Sequence, residues 1–190
     1  MRVNLARTLA RSAANGPGER FVVWVQGCPM ACPGCWNPDT WAFERRDLRS
    51  VEDLALDILA TEGIEGVTFT GGEPFAQARA LTALAERVRA SGLSVFVFTG
   101  YDLDELARPE HRAMLAVTDV LVAGRYVGAE RATGLAWRGS ANQRVHFLSD
   151  RYGPADMKEV AEVEFHIDKD GTLTVTGFPT GKLLAFATDE

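Results

Sequence analysis

Short apolar runs alternate with amphipathic segments along most of this chain, and this alternation constrains the fold more than any other feature. Four runs are rich in β-branched and aromatic residues and end at a glycine, at 21–27, 66–72, 93–100 and 119–124. A fifth strand pattern, RVHFL, follows at 144–148. Strands that alternate with helices pair in parallel through right-handed crossovers. The segments FVVWV and VFVF are apolar on both faces, as expected for a sheet that is covered on both sides.

Helical patterns occupy the segments between these strands. Ser50 is a candidate N-cap for a helix that ends near Gly63, with Asp53 three residues after the cap. Its predicted buried face consists of Val51, Leu54, Ile58 and Leu59. A second helix starts at Pro74, and its predicted buried stripe consists of Leu81, Leu84, Ala85 and Val88. A third helical segment, 102–117, is interrupted at Pro109.

The length of the chain limits the architecture. A closed barrel of eight βα units needs about 250 residues, whereas this chain has 190. We therefore expect an α/β fold, a partial, open β/α barrel of parallel strands, with its site beyond the carboxyl ends of the strands. The stretch VEFHIDKDGTLTVTG alternates strictly between apolar and polar residues around a DKDG turn. It predicts a C-terminal antiparallel β-hairpin extension, with a domain boundary near residue 150 that separates 1–150 from 151–190.

Composition narrows the functional classes. The net charge is −6 and the sequence pI is near 5.2, which argues against nucleic acid as a partner. No apolar run is long enough to span a membrane, and the first twenty residues lack the apolar core of a signal peptide. The arginines of that segment are interpreted as the solvated face of a strand. We expect a cytoplasmic protein, in which thiols stay reduced.

All three cysteines of the chain, Cys28, Cys32 and Cys35, lie within the eight-residue stretch CPMACPGC. Their odd number argues against a disulfide framework. A structural zinc needs four ligands, and the three histidines are distant in sequence without ligand spacing. Buried structural thiols would not be expected in a loop with two prolines and a glycine. An iron–sulfur cluster remains, because thiolates are its usual ligands. Three cysteines for four irons would leave one iron open to substrate, which favours a catalytic cluster.

The cysteine spacing, Cys-x3-Cys-x2-Cys, resembles the signature of the radical S-adenosylmethionine (SAM) enzymes. A second motif of that family, GGEP, occurs at 71–74, where the next main strand ends. The stretch from Asn15 to Trp41 resembles the start of the activating proteins of anaerobic, class III ribonucleotide reductases. Three later blocks are similar to the same subfamily: TGY at 99–101, DVLVAGRYV at 119–127 and RGSANQR at 138–144. The resemblance covers residues 10–148 and does not reach the hairpin.

This resemblance implies that Cys28, Cys32 and Cys35 are the catalytic metal ligands and hold a 4Fe-4S cluster. The open iron would be chelated by the amino and carboxylate groups of SAM, and reductive cleavage would give a 5′-deoxyadenosyl radical. That radical would abstract a hydrogen from one glycine of a partner, a glycyl-radical enzyme such as the large subunit of an anaerobic ribonucleotide reductase. Flavodoxin or ferredoxin would supply the electron.

Further cofactor-binding residues follow from the same resemblance. Gly71 and Gly72 would form the edge that binds the SAM amino group, with Glu73 nearby. Gly34 stands where many radical SAM enzymes have an aromatic residue, and Trp36 would supply an aromatic wall near the adenine. Independently of the resemblance, the donor-rich loop that holds Arg138, Ser140, Asn142 and Arg144 suits carboxylate and ribose hydroxyl groups. Thr99 and Tyr101 are weaker candidates. Ala123 stands where such activating proteins often have an acidic residue, so any contact expected from a carboxylate there is in doubt.

Two other functions are compatible with the residues. A radical SAM enzyme of similar core could modify a peptide or small molecule directly, as the hairpin and Ala123 suggest. A non-catalytic electron-transfer or cluster-carrier protein is a third interpretation, against which the missing fourth cysteine and the GGEP turn both argue.

Overall fold

The computed structural model describes residues 1–132, 134–157, 163–167 and 169–178. The strands are β1 (Arg2–Ser12), β2 (Arg20–Val25), β3 (Asp47–Ser50), β4 (Gly66–Gly71), β5 (Ser94–Thr99), β6 (Val120–Ala123), β7 (Arg144–Phe147), β8 (Val163–Ile167) and β9 (Leu173–Gly177). The α-helices are α1 (Val51–Ala60), α2 (Ala78–Ala90) and α3 (Pro109–Ala116). Among the described residues, no helix has the length and apolar character that crossing a membrane requires.

Seven strands form one open sheet in the order β3-β1-β2-β4-β5-β6-β7. The four central strands, β2, β4, β5 and β6, pair in parallel, and β8 and β9 form a separate antiparallel hairpin. The predicted α/β fold with parallel strands and a C-terminal hairpin is thus confirmed. The flanking strands β1, β3 and β7 are antiparallel to their neighbours. β7 returns antiparallel because the segment between β6 and β7 holds a single 3₁₀ turn, at 128–130, in place of a crossover helix.

All three α-helices cover one face of the sheet. Alternate strand residues such as Val23, Phe69 and Val97 point to this face and join the helices in one apolar core. The Ser50 Oγ accepts a hydrogen bond from the Asp53 amide at 3.0 Å, which confirms the predicted N-cap. The predicted stripe of α2 is buried. In α1 the prediction is wrong at Leu59, which is 43% exposed, because Ala55 occupies the core side of that turn.

The opposite face of the sheet is covered by loops and by the hairpin. Phe96 and Val122 pack there against Trp137 of the segment that follows β6. At the start of β2, the Arg20 side chain is fully buried and donates hydrogen bonds to Thr68, Pro17, Ser94 and Val67. This arginine fills the end of the sheet remote from the cysteine loop.

The hairpin is fastened to the segment between β1 and β2. The Glu164 carboxylate accepts hydrogen bonds from the Ser12 hydroxyl and, at 2.8 Å, from the Ala13 amide. The Asn15 side-chain amide donates to the Thr176 hydroxyl, also at 2.8 Å. These contacts place β9 beside the face of the parallel strands that lies opposite the helices.

Candidate functional site

The carboxyl ends of three parallel strands are joined by hydrogen bonds at one edge of the sheet. Glu73, which follows β4, is 1% exposed and accepts three hydrogen bonds through its carboxylate. Its Oε1 accepts from the Thr99 hydroxyl and from the Phe75 amide, both at 2.9 Å, and its Oε2 accepts from the Gly100 amide at 2.8 Å. The Glu73 amide in turn donates to the Gly27 carbonyl oxygen at 2.9 Å. The segment before Cys28 is thereby tied to the ends of β4 and β5.

The two glycines of the GGEP motif are required by this junction. A Cβ on Gly72 would lie 2.4 Å from the Gly27 carbonyl oxygen. A Cβ on Gly71, whose φ is +95°, would lie 2.8 Å from the Cα of Trp24. Both contacts are with the backbone of neighbouring β2 and its continuation, so neither can relax easily. The absence of a Cβ at Gly71 and Gly72 therefore allows the backbone of β2 and of Gly27 to approach closely.

The cysteine loop leaves β2 at Gly27 and is held by its backbone. The Cys28 amide donates to the Trp41 carbonyl oxygen at 3.0 Å, and the Cys35 amide donates to the Cys32 carbonyl oxygen at 3.1 Å. Gly34 adopts a φ of +76° just before the last cysteine, a backbone conformation that favours glycine. All three thiols are unpaired and half-buried, and the Asn37 amide donates to the Cys35 Sγ at 3.4 Å.

Burial perturbs two ionisable groups at this edge. Burial raises the pKa of Glu73 from 4.5 to about 7, although hydrogen bonds from Phe75, Gly100 and Thr99 oppose the shift. Burial also raises the pKa of the Cys28 thiol, and the negative charges of Glu73 and Cys35 add to that effect. A positively charged group placed among the thiols would reverse this shift, because it would stabilise the thiolates.

A cavity of about 260 Å³ lies on the face of the sheet opposite the helices, next to the last cysteine. Cys35, Trp36 and Tyr126 line it from the loops, Thr70 and Phe98 from strands, and Val175 and Phe178 from the hairpin segment. The guanidinium of Arg131 lies 4.5 Å from the centre of the Trp36 ring. Within the described part of the chain, the Trp36 indole N–H is buried without an acceptor. The structure thus places Trp36 on an enclosed wall beside Cys35.

Most hydrogen bonds of the RGSANQR side chains are made within the segment or to the backbone that follows β6. The Gln143 side chain donates to the Gly124 carbonyl oxygen and accepts from the Gly139 amide. Buried Ser140 accepts from the Val127 amide, and Asn142 donates to the Arg125 carbonyl oxygen.

The two arginines of this segment lie elsewhere. Arg138 and Arg144 line a second cavity, of about 460 Å³, at the β7 edge. Of the RGSANQR residues, Gln143 lines the Cys35 cavity, whereas Arg138, Ser140, Asn142 and Arg144 are not among its lining residues. Their predicted contact with SAM stays a prediction.

The remaining candidates are divided between the two faces. Thr99 belongs to the Glu73 junction, where its hydroxyl donates to the carboxylate and accepts from the Tyr101 amide. Tyr101 lines a different cavity, of about 630 Å³, together with Phe75 and His111. Ala123 is 2% exposed and belongs to the core under the helices. It also lines a cavity of about 730 Å³ together with Asp102, Arg144 and His146.

Sequence reasoning missed Arg7, Met30 and Tyr126 as parts of the site. Arg7 donates to the Asn37 side chain at 2.6 Å and lies 4.8 Å from the centre of the Trp24 ring. Met30 lies over Gly100. The Asn37 carbonyl oxygen accepts hydrogen bonds from the Thr40 amide and hydroxyl, which fixes the end of the cysteine loop. Only Tyr126 carries a sequence signal, because it lies in the DVLVAGRYV block.

The three cysteine thiols are the candidate ligands for a metal group at this site. Among the described residues, no three Cys, His, Asp or Glu side chains surround a single-ion position. Three unpaired thiols on one loop, with a backbone amide directed at the Cys35 sulfur, match the ligands and sulfur hydrogen bonds of an iron–sulfur cluster. The residues present therefore fit a 4Fe-4S cluster with one iron left without a protein ligand.

Comparison with known proteins agrees with this chemistry. A family model described as a 4Fe-4S single cluster domain matches residues 14–146. The anaerobic ribonucleoside-triphosphate reductase-activating protein of Escherichia coli K12 is 37% identical over 145 residues, which cover 70% of this chain and 92% of that protein. The corresponding protein of Haemophilus influenzae is 37% identical, over 70% of this chain and 90% of that protein. That of Enterobacteria phage T4 is 35% identical, over 78% of this chain and 96% of that protein.

Among solved structures, QueE from Escherichia coli aligns with a TM-score of 0.43 and 22% identity over 53% of each chain, a likeness too partial to carry an argument. The family model and the curated relatives carry the assignment by themselves. The chain belongs to the family of 4Fe-4S single-cluster proteins that includes the activating proteins of anaerobic ribonucleoside-triphosphate reductases.

Proposed function

We propose that this protein activates an anaerobic ribonucleoside-triphosphate reductase by generating a glycyl radical on it. As a member of its family, the chain is a radical SAM enzyme that uses a 4Fe-4S cluster and SAM. The observation that carries the proposal is the three-cysteine loop, which is tied by Glu73 to the ends of the next two parallel strands. The identity of 37% to activating proteins supports the choice of partner.

The bound cluster would supply the electron that cleaves SAM to methionine and a 5′-deoxyadenosyl radical, which takes a hydrogen atom from a glycine Cα of the reductase and becomes 5′-deoxyadenosine. Cys28, Cys32 and Cys35 hold the cluster in this proposal. The backbone edge at Gly71, Gly72 and Glu73 receives the amino group of SAM.

The cavity beside Cys35 shields the reacting groups from water in this proposal. Trp36 and Gly34 border the cofactor there. Thr99 supports the site through its hydrogen bond to Glu73. Tyr101, Arg138, Ser140, Asn142 and Arg144 stay weaker candidates, since none of them lines the Cys35 cavity.

The setting of the reaction is part of the same proposal. A low-potential carrier, flavodoxin or ferredoxin, delivers the electron, since cluster potentials reach about −700 mV at their low end. The reaction takes place in the cytoplasm. Residues 1–150 form the catalytic domain and residues 151–190 a C-terminal extension, of which 158–162, 168 and 179–190 lie outside the described residues. The hairpin of the extension packs on the domain.

Anaerobic incubation of the reconstituted protein with its reductase, SAM and dithionite tests this function. We expect a glycyl doublet in the electron paramagnetic resonance spectrum of the reductase. When the reductase carries glycine deuterated at Cα, deuterium should appear in 5′-deoxyadenosine, because the hydrogen atom is transferred directly.

Two other results would lead elsewhere. SAM cleavage without a doublet would exclude the reductase as substrate and favour direct modification of another peptide or small molecule. Absence of both SAM binding and cleavage would leave an electron carrier as the better interpretation.

A further inference from the structure

The β8–β9 hairpin has one polar face and one apolar face. Glu164 and Thr176 lie on the polar face, which is fastened to Ser12, Ala13 and Asn15. The pairs Phe165–Val175 and Ile167–Leu173 lie opposite each other across the strands. Side chains of directly paired residues, and of residues two positions apart, share one face of a hairpin. These four side chains therefore form one strip, which we call the apolar strip.

Exposure increases along the apolar strip away from the site. Val175 lines the cavity beside Cys35. Its partner Phe165 is 47% exposed, and the outer pair, Leu173 and Ile167, are 48% and 74% exposed. The strip is thus a continuous apolar path from solvent to the wall of the cavity. Contiguous exposed apolar surface of this kind marks interaction sites more often than isolated exposed residues do.

The chemistry of the strip indicates what it binds. The described residues of this face are Val163, Phe165, Ile167, Leu173, Val175 and Gly177. None of them carries a charge or a hydrogen-bonding side chain, so the strip suits an apolar polypeptide and not a nucleotide or another anion. Because the strip borders the cavity at Val175, a polypeptide bound along it would have part of its backbone next to the cavity.

We propose that the apolar strip of the hairpin docks the segment of the reductase that carries the target glycine, and guides it to the cavity beside Cys35. The inference rests on the proposed function and assigns a specificity-determining role to the hairpin, which lies beyond the family match that ends at residue 146. Docking uses Ile167 and Leu173 as outer anchors and Phe165 and Val175 as the inner contact.

The double variant Ile167→Thr/Leu173→Thr tests the proposal, because threonine keeps the strand preference while it removes the apolar surface. The measurement is the rate of glycyl-radical formation against the concentration of the intact reductase. We expect the KM for the reductase to rise about tenfold, because both outer anchors lose apolar contact area, and kcat to be unchanged at saturation. Phe165→Thr provides a second, independent variant.

Leu56→Thr is the matched control, because Leu56 is 66% exposed on α1, on the helix-covered side of the sheet. Its KM should equal that of the wild type. A second copy of this chain is the other molecule that could bind the apolar strip. Analytical ultracentrifugation of each protein tests this alternative, because it shows whether the wild type is a dimer and whether the variants are monomers. An unchanged KM in the hairpin variants would overturn the docking proposal, most clearly if a wild-type dimer became a monomer. Absence of any glycyl radical with the wild-type chain would overturn the proposed function instead, and this proposal with it.

Discussion

At the scale of single residues, the site depends on backbone contacts that the motif glycines permit. Gly72 approaches the Gly27 carbonyl oxygen, and the next residue, Glu73, donates its amide to that same oxygen. Glu73 then reaches Thr99 and Gly100 through its carboxylate. The GGEP motif therefore connects three strand ends before any ligand binds, and its residues have a structural role beside the one that the family resemblance implies.

Gly72→Ala tests this junction. The added Cβ would lie 2.4 Å from the Gly27 carbonyl oxygen, and backbone must shift to relieve the contact. We expect a loss of about 2 kcal/mol in the free energy of unfolding, seen as a decrease in Tm of roughly 4–8 °C in a chain of this size. Gly153→Ala is the control, because a Cβ there meets no atom within 4 Å. Equal Tm values for the two variants would contradict the argument.

At the scale of elements, the sequence predicts those strands and helix ends that depend on residues close to each other along the chain. The four central strands, the N-cap at Ser50 and the interruption of the third helical segment at Pro109, where α3 begins, all follow from short sequence signals. β3 could not be predicted, since Leu48 is its one apolar residue and pairing with β1 makes it a strand. The same limit applies to the site: Arg7 and Arg131 approach tryptophans through long-range packing that leaves no local pattern.

The attachment of the hairpin should depend on pH. Burial alone would raise the pKa of Glu164, but hydrogen bonds from Ser12, Ala13 and Ala14 and the nearby His166 lower it below its usual 4.5. Because the pKa is lower in the folded state, this stabilisation is present above pH 4.5 and is lost as the pH falls through the folded-state value. We expect the hydrogen-exchange protection factor of the Ala13 amide to fall over that range.

Glu164→Gln serves as the control for this prediction, because the amide cannot titrate. Its protection factor at Ala13 should be lower at pH 7 and nearly independent of pH. A wild-type protection factor that does not change below pH 4.5 would contradict the assigned role of the carboxylate.

At the scale of the whole molecule, the two faces of the sheet have different tasks. The helices and their apolar core stabilise one face, and the other carries the cavity beside Cys35. The parallel strands of an open α/β fold and the hairpin were predictable from chain length and from the alternation of sequence patterns. The position of the hairpin against residues 12–15 was not, because it depends on contacts between segments about 150 residues apart.

The central claim is that three thiols hold a cluster at which SAM is cleaved. Its most direct test is the amount of 5′-deoxyadenosine released by the anaerobically reconstituted protein with SAM and dithionite. The wild type should release it, and each of the variants Cys28→Ala, Cys32→Ala and Cys35→Ala should release none. Their far-UV circular dichroism should equal that of the wild type, because the cysteines lie in a half-buried loop outside the core. Release retained in any of the three variants would contradict the account.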